Sequence, residues 1–473
     1  MMGTVSGTMN EGVRFKWELP TEPQAGLLTR LFAPVDVASL VAFRMLFGAI
    51  MFWEVCRYFS YDWIRRYYIE PTFHFTYYGF SWVHPWPGIG MYLHFLALGL
   101  LAIFIVVGFW YRLSAGLFFL GFTYVFLLDQ ANYLNHFYFV CLLSFLLIFV
   151  PAHASASWDA WRRPAIRSEQ VPAWSVWLLR AQLGIVYTGA GVAKLNYDWF
   201  RGEPMRMWLA ESRDDIPLRG LVPLDRLLTA EWFVYLCSYG GLFFDLLATP
   251  ALLWKRTRPY AFAVAVLFHL MNAKFFSIGI FPWLSIAATL IFFPPEWPRR
   301  IFNWPRSGQA GSHLIVPAPP PWRRSLLTFM GVYLAVQVLV PLRHFLYPGS
   351  VHWTEEGHRF SWHMKLRDKE STADFEVTDP ARGSTWAINP RDYLSKRQIE
   401  KMEGRPDMIL QFCHHVAREL RRTGRGDVEV RAEVEVSLNG RAPQPLIDPT
   451  VDLARQQRNL RHASWILPFQ ESW

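Results

Sequence analysis

Long blocks of apolar residues, separated by short polar connections, run through the first three quarters of this 473-residue chain. The blocks are continuous, not striped at a helical or strand period, so no single partner face could cover them. Segments of that kind are stable in lipid, where about 20 apolar residues span the hydrocarbon as a helix. Hydrophobic residues make up 52% of the chain and charged ones 18%, whereas soluble domains carry roughly a quarter charged residues. Blocks at 36–57, 89–110, 112–129, 134–151, 172–194, 229–254, 257–273, 275–294 and 325–345 predict about nine spans.

The net charge of +9 does not point to nucleic acid, because the basic residues form no single dense run. They orient the spans instead. Arg112, Arg162, Arg163, Arg167, Lys255, Arg256, Arg299 and Arg300 fall on the side of the N-terminus, which the positive-inside rule makes cytoplasmic. The stretch Met1 to Pro34 carries Arg14, Lys16 and Arg30 without an apolar core, and does not read as a cleaved signal peptide. The expected organisation is a cytoplasmic segment at 1–34, a transmembrane domain at 35–345, and an extramembrane domain at 346–473 on the opposite side, with Pro317 to Pro321 as a stiff linker.

The last quarter changes character. Val428 to Leu438 alternates apolar and polar residues and ends at Asn439-Gly440, the pattern of a half-buried strand entering a tight turn. Phe375 to Thr378 and Thr385 to Ile388 flank a second turn, and Ile409, Phe412, Val416 and Leu420 share one helix face. The fold class is therefore a polytopic α-helical membrane protein with a C-terminal β-rich extramembrane domain. Cys56, Cys141, Cys237 and Cys413 show no metal spacing; a Cys56–Cys413 bridge is the one pairing considered.

Ionisable residues inside spans are costly, and each is a functional candidate. They are Arg44, Glu54, Asp129, His136, Arg180, Lys194, Asp245 and His269. With the N-terminus inside, Asp129, Asn135-His136, Lys194 and His269 come from four spans to a similar depth at the outer face. Lys194 reads equally as an interface anchor, His136 and His269 as hydrogen-bonded core histidines, and Arg44, Arg180 and Asp245 as paired structural charges. His414-His415 is expected to be solvated. As a buried amine, Lys194 could serve as a base, with a histidine and an amide beside it to hold an oxyanion. A site open to lipid suits an apolar substrate such as a quinol. No HExxH, GxSxG, P-loop or GxGxxG context appears.

At these residues the chain resembles the vitamin K-dependent γ-glutamyl carboxylase family, called the HTTM family in bacteria. The similar stretches are Asp36-Val37-Ala38-Ser39-Leu40 with Phe43-Arg44, Tyr124 to Asp129 with Asn135-His136, and Val186-Tyr187 with Lys194-Leu195 and Asp198-Trp199. Asp245, Phe268-His269 with Met271-Asn272, and Pro295-Glu296-Trp297-Pro298-Arg299 continue the match, followed by Trp353-Thr354, Ser361-Trp362 and Asp448-Pro449. The resemblance implies that Lys194 deprotonates reduced vitamin K, of menaquinol or phylloquinol type, whose oxygenation by O2 creates a strong base. That base removes a γ-proton from a peptidyl glutamate, CO2 adds, and vitamin K epoxide leaves.

Asn135 and His136 would stabilise oxyanions. His269, Asn272, Asp129 and Tyr187 would bind the quinol, and Trp353, His358, Ser361, Trp362, Lys396 and Arg397 the glutamyl substrate. No metal is implied. The chain departs from the family at His358 and Thr450, where an aromatic residue and an arginine are usual, and the loop Tyr68 to Gly79 is bacterial in style. A bacterial inner-membrane enzyme is the expectation. A quinol epoxidase that does not carboxylate peptidyl glutamate, and a non-catalytic lipid-binding membrane protein or transporter, are the alternatives.

Overall fold

The computed structural model describes residues 26–215, 226–276, 278–305 and 321–470. Most of the N-terminal segment, with Arg14 and Lys16, and all but the last residue of the proline linker lie outside them. Among the described residues, six helices are long and apolar enough to cross a membrane. They are α1 (Ala38–Ser60), α2 (Gly90–Val107), α5 (Trp174–Ala193), α6 (Glu231–Leu253), α7 (Arg258–Phe276) and α9, which covers Arg323–Leu342 and continues as a tighter turn to Leu346. Three shorter apolar helices accompany them: α3 (Tyr111–Leu127), α4 (Asn135–Phe149) and α8 (Phe281–Thr289). The expectation of about nine spans thus stands at six by length.

Polar groups at the helix ends are satisfied locally, as a low-dielectric setting demands. Helix α2 ends at Gly108, whose φ of +67 suits a residue without a Cβ; a Cβ there would also strike Arg44 and Ser157. Arg44 donates to the carbonyls of Ala152 and Ala156, and Arg180 to those of Ile291 and Phe293. Both arginines therefore cap backbone carbonyls, where ion pairs were expected. Asp36 accepts from the Ala38 amide at the start of α1 and pairs with Arg299. The short strands β1 (Pro34–Asp36) and β2 (Gln170–Pro172) pair antiparallel beside it.

The C-terminal part forms a four-stranded antiparallel sheet of order β4-β3-β5-β6, built from β3 (Lys369–Asp379), β4 (Ser384–Ile388), β5 (Glu429–Leu438) and β6 (Gln444–Pro445). Inward residues of β5, Val430, Ala432, Val434 and Val436, are buried, as alternation requires. Asn439 and Gly440 both take positive φ in the turn that follows. Helices α10 (Lys396–Met402) and α11 (Pro406–Arg422) cover the sheet, with Ile409, Phe412 and Val416 buried. All four cysteines are free, Cys56 exposed and Cys413 buried, so the considered bridge does not form. His414 and His415 are not solvated as expected: the first binds the Gln456 carbonyl and the second stacks on Phe73.

Polar contacts join this domain to the helices. Asp198 receives Asn439 and Arg441, Trp208 donates to Asp368, and Asp129 accepts from Gln398 at 2.9 Å.

Candidate active site

Helices α5 and α6 approach closely because α5 carries Gly191, where an added Cβ would lie 2.7 Å from the Leu246 side chain and 3.0 Å from its backbone nitrogen. That approach brings Lys194, the residue closing α5, to Asp245 of α6: Nζ donates to Oδ2 at 2.6 Å, with both residues buried. The amine also lies 5.2 Å from the Trp199 ring centre. The sequence reading weighed an interface anchor against a buried amine with a histidine and an amide beside it, and took Asp245 as a structural charge. The buried Asp245 carboxylate at contact distance makes Asp245 part of the site.

Asn135 and His136 open α4. The amide of Asn135 is fixed at both ends, accepting from the Tyr133 hydroxyl at 2.8 Å and donating to the His363 carbonyl at 3.0 Å. His136 lies against Phe281. From α7, His269 places Nε2 3.0 Å from the Tyr187 hydroxyl, which in turn meets Thr289. Its Nδ1 is buried without a partner among the described residues.

These groups line one cavity of about 1000 Å³. Lys194, Asn135, His136, Tyr187, His269 and Asn272 all face it. Its lower wall is apolar, with Leu183, Val186, Phe244, Phe268 and Phe281. Leu236, Val264 and Leu267 line it as well and are 57%, 52% and 60% exposed on the helix exterior, so the cavity reaches faces of α6 and α7 that would meet lipid.

The upper wall belongs to the C-terminal domain and is strongly cationic: Arg367, Lys369, Arg397, Lys401 and Arg405 line it, with Glu355 and His358. Glu355 pairs with Arg367 at 2.5 Å and Lys369 at 3.2 Å. Burial alone would raise the Glu355 carboxyl, but Arg367, Lys369, Arg405 and Arg359 outweigh it and hold it at about 2. Burial pushes Lys369 and Lys401 down to about 8. His358 bonds Arg367, and burial with that cation keeps its imidazole well below the usual range. Arg397 donates to Asn132 and covers the Tyr67 ring.

Five expected site residues lie elsewhere. Asp129 is buried beside the cavity, where it caps a turn at Ala131 and receives Gln398 and His74, so it docks the domains. Trp353 sits in the C-terminal core, donating to Leu467, and its carbonyl accepts from Lys369. Trp362 packs on Gly189 of α5 and stacks on Tyr138. The Ser361 hydroxyl donates to Gly357. Lys396 is exposed and loosely paired with Glu400 at 3.8 Å.

The sequence reading missed Lys369, Arg367, Lys401 and Arg405 as cavity residues and took Asp245 as structural. The signal was the alternation of Lys365, Arg367 and Lys369 at the entry to β3, and Lys401 four residues from Arg405.

The HTTM domain model matches residues 32–297, and the model of the vitamin K-dependent gamma-carboxylase lumenal domain matches residues 322–472. No solved structure matches the chain. The two matches fall on the helical part and on the sheet-bearing part that share the cavity, and the chain belongs to the vitamin K-dependent carboxylase/HTTM family.

Proposed function

We propose that this protein is a vitamin K-dependent γ-glutamyl carboxylase of a bacterial inner membrane, with its N-terminus cytoplasmic and its C-terminal domain periplasmic. The observation that carries this reading is one cavity with two unlike walls: an apolar wall bearing Lys194, Asn135, His136 and His269, and a cationic wall bearing Arg367, Lys369 and Arg405. The first suits a lipid quinol and the second a peptide carboxylate.

Reduced vitamin K, a menaquinol or phylloquinol, fits the apolar wall. The aromatic side chains there accept a fused ring, the lipid-side opening admits an isoprenoid tail, and the unpartnered Nδ1 of His269 can meet a ring oxygen. When bound and oxygenated by O2, the quinol supplies the strong base that the reaction needs and leaves as the epoxide.

The chain does the rest. A proton moved from Lys194 onto Asp245 leaves a neutral amine able to take another from a hydroxyl. Asn135 and His136 offer N–H groups to a developing oxyanion, and Tyr133 with the His363 carbonyl keeps the Asn135 amide from turning away. The cationic wall holds the glutamyl carboxylate while CO2 adds at the γ-carbon.

The test is to supply purified protein with reduced vitamin K, labelled bicarbonate and a glutamyl peptide. Label in the peptide together with epoxide is the expected result. Epoxide without label would make the protein a quinol epoxidase, and neither product would return it to a lipid-binding role or a transporter.

A further inference from the structure

The reaction read above leaves a proton behind. Hydroquinone, O2, CO2 and a glutamyl C–H become epoxide, water and a new carboxylate, and one proton per turnover remains. Lys194 and Asp245 are both buried, so that proton needs a path from them to solvent.

Behind Asn135, four histidines come together, two of which, His344 and His352, have had no part so far. His363 is 5% exposed, and neither of its ring nitrogens has a hydrogen-bond partner among the described residues. Its ring centre lies 5.4 Å from that of His358, 5.2 Å from His352 and 4.8 Å from His344. His358 lines the catalytic cavity. His344, His352 and His363 line a second cavity of about 770 Å³ between α5, α9 and the loop at 347–352. His352 and His344 are half-buried. The row therefore crosses the partition between two cavities. A buried imidazole with both nitrogens unpaired costs free energy, and so invites an explanation.

We propose that His363 is a proton relay, taking the proton that Lys194 and Asp245 release and passing it to His352 or His344 and on to solvent. The inference rests on the functional reading above. Because neither ring nitrogen of His363 has a protein partner among the described residues, each transfer runs through a bridging water: the donor's N–H bond breaks as an O–H bond forms on the water, and another O–H bond of that water breaks as an N–H bond forms on the acceptor, first from the Lys194 ammonium to one nitrogen of His363, then from the opposite N–H of His363 to the next imidazole. No electrons change hands.

The titratable and charged groups facing His363 are His352, His344, Arg367 and Lys194; those facing His352 are Arg367, Glu355, Asp198 and Lys369. Burial, with these cations, holds His363 at about 2 and His352 at about 4. Both are neutral at rest, and a neutral imidazole can accept at one nitrogen while donating from the other. His358 flanks the row with a nitrogen already taken by Arg367. A metal centre is the rival use for clustered histidines, but among the described residues no group of three or more histidine, cysteine or acidic side chains is arranged to hold one.

The test compares wild type with His363→Ala in lipid nanodiscs at low buffer strength. The variant should lose about tenfold or more in kcat for epoxide, with KM for the quinol unchanged, and added imidazole should restore much of the rate. A second readout needs no turnover: on anaerobic mixing with the hydroquinone, a pH-indicator dye should report proton release more slowly in the variant, and imidazole should quicken it. His352→Ala and His344→Ala together probe the outer end and should behave alike. Wild-type epoxide formation bears on the functional reading, and the variant-to-wild-type ratio bears on the relay. Wild-type rates of turnover and proton release in His363→Ala, or losses indifferent to imidazole in both variants, would overturn the relay.

Discussion

The Lys194–Asp245 pair is the most exacting contact in the helical part. Two opposite charges 2.6 Å apart and shielded from water stabilise each other, and removing one leaves the other stranded. Lys194→Met should therefore lower stability by about 3–5 kcal/mol, read as a fall in the melting temperature of the detergent-solubilised protein. Adding Asp245→Leu should restore most of that loss while leaving both epoxide and carboxylated product absent. A double variant as unstable as the single one would show that the pair is not the source of the cost. The cationic wall makes a separate prediction. Lys369 and Lys401, pushed down to about 8 by burial, are charged below that pH and neutral above it. KM for the glutamyl peptide should rise as pH passes about 8, and this limb should vanish in Lys369→Arg with Lys401→Arg.

At the scale of elements, Gly191 sets the approach of α5 to α6. Gly191→Leu should push the helices apart and cost about 1–3 kcal/mol, with activity falling further than stability because Lys194 and Asp245 would lose register; unaltered turnover would count against that role. The sequence made such elements readable and their contacts much less so. Apolar blocks located the helices and alternation located β5, because both patterns are periodic along the chain. Lys194, His136 and His269 stood out because charge is costly in lipid. Trp362, which the resemblance assigned to the glutamyl substrate, lies outside the cavity and fills the space above Gly189, a packing role that shows only once α5 is folded. Lys369 was missed because its importance comes from burial against Trp353 and Glu355, which only the folded domain creates.

For the whole molecule, the account needs a lipid-facing half and an aqueous half meeting at one cavity. Orientation is checked by labelling. In the proposed topology, Lys396→Cys should react with a membrane-impermeant maleimide from the periplasmic side and Lys255→Cys only after the membrane is opened, each in a Cys56→Ser background. The central claim is that the two walls serve two half-reactions in one space. Arg367→Leu combined with Lys369→Leu should still form vitamin K epoxide but incorporate little label from bicarbonate into the peptide, whereas Lys194→Ala should abolish both products. Full peptide labelling in the wall variant, or epoxide formation surviving in Lys194→Ala, would contradict the account.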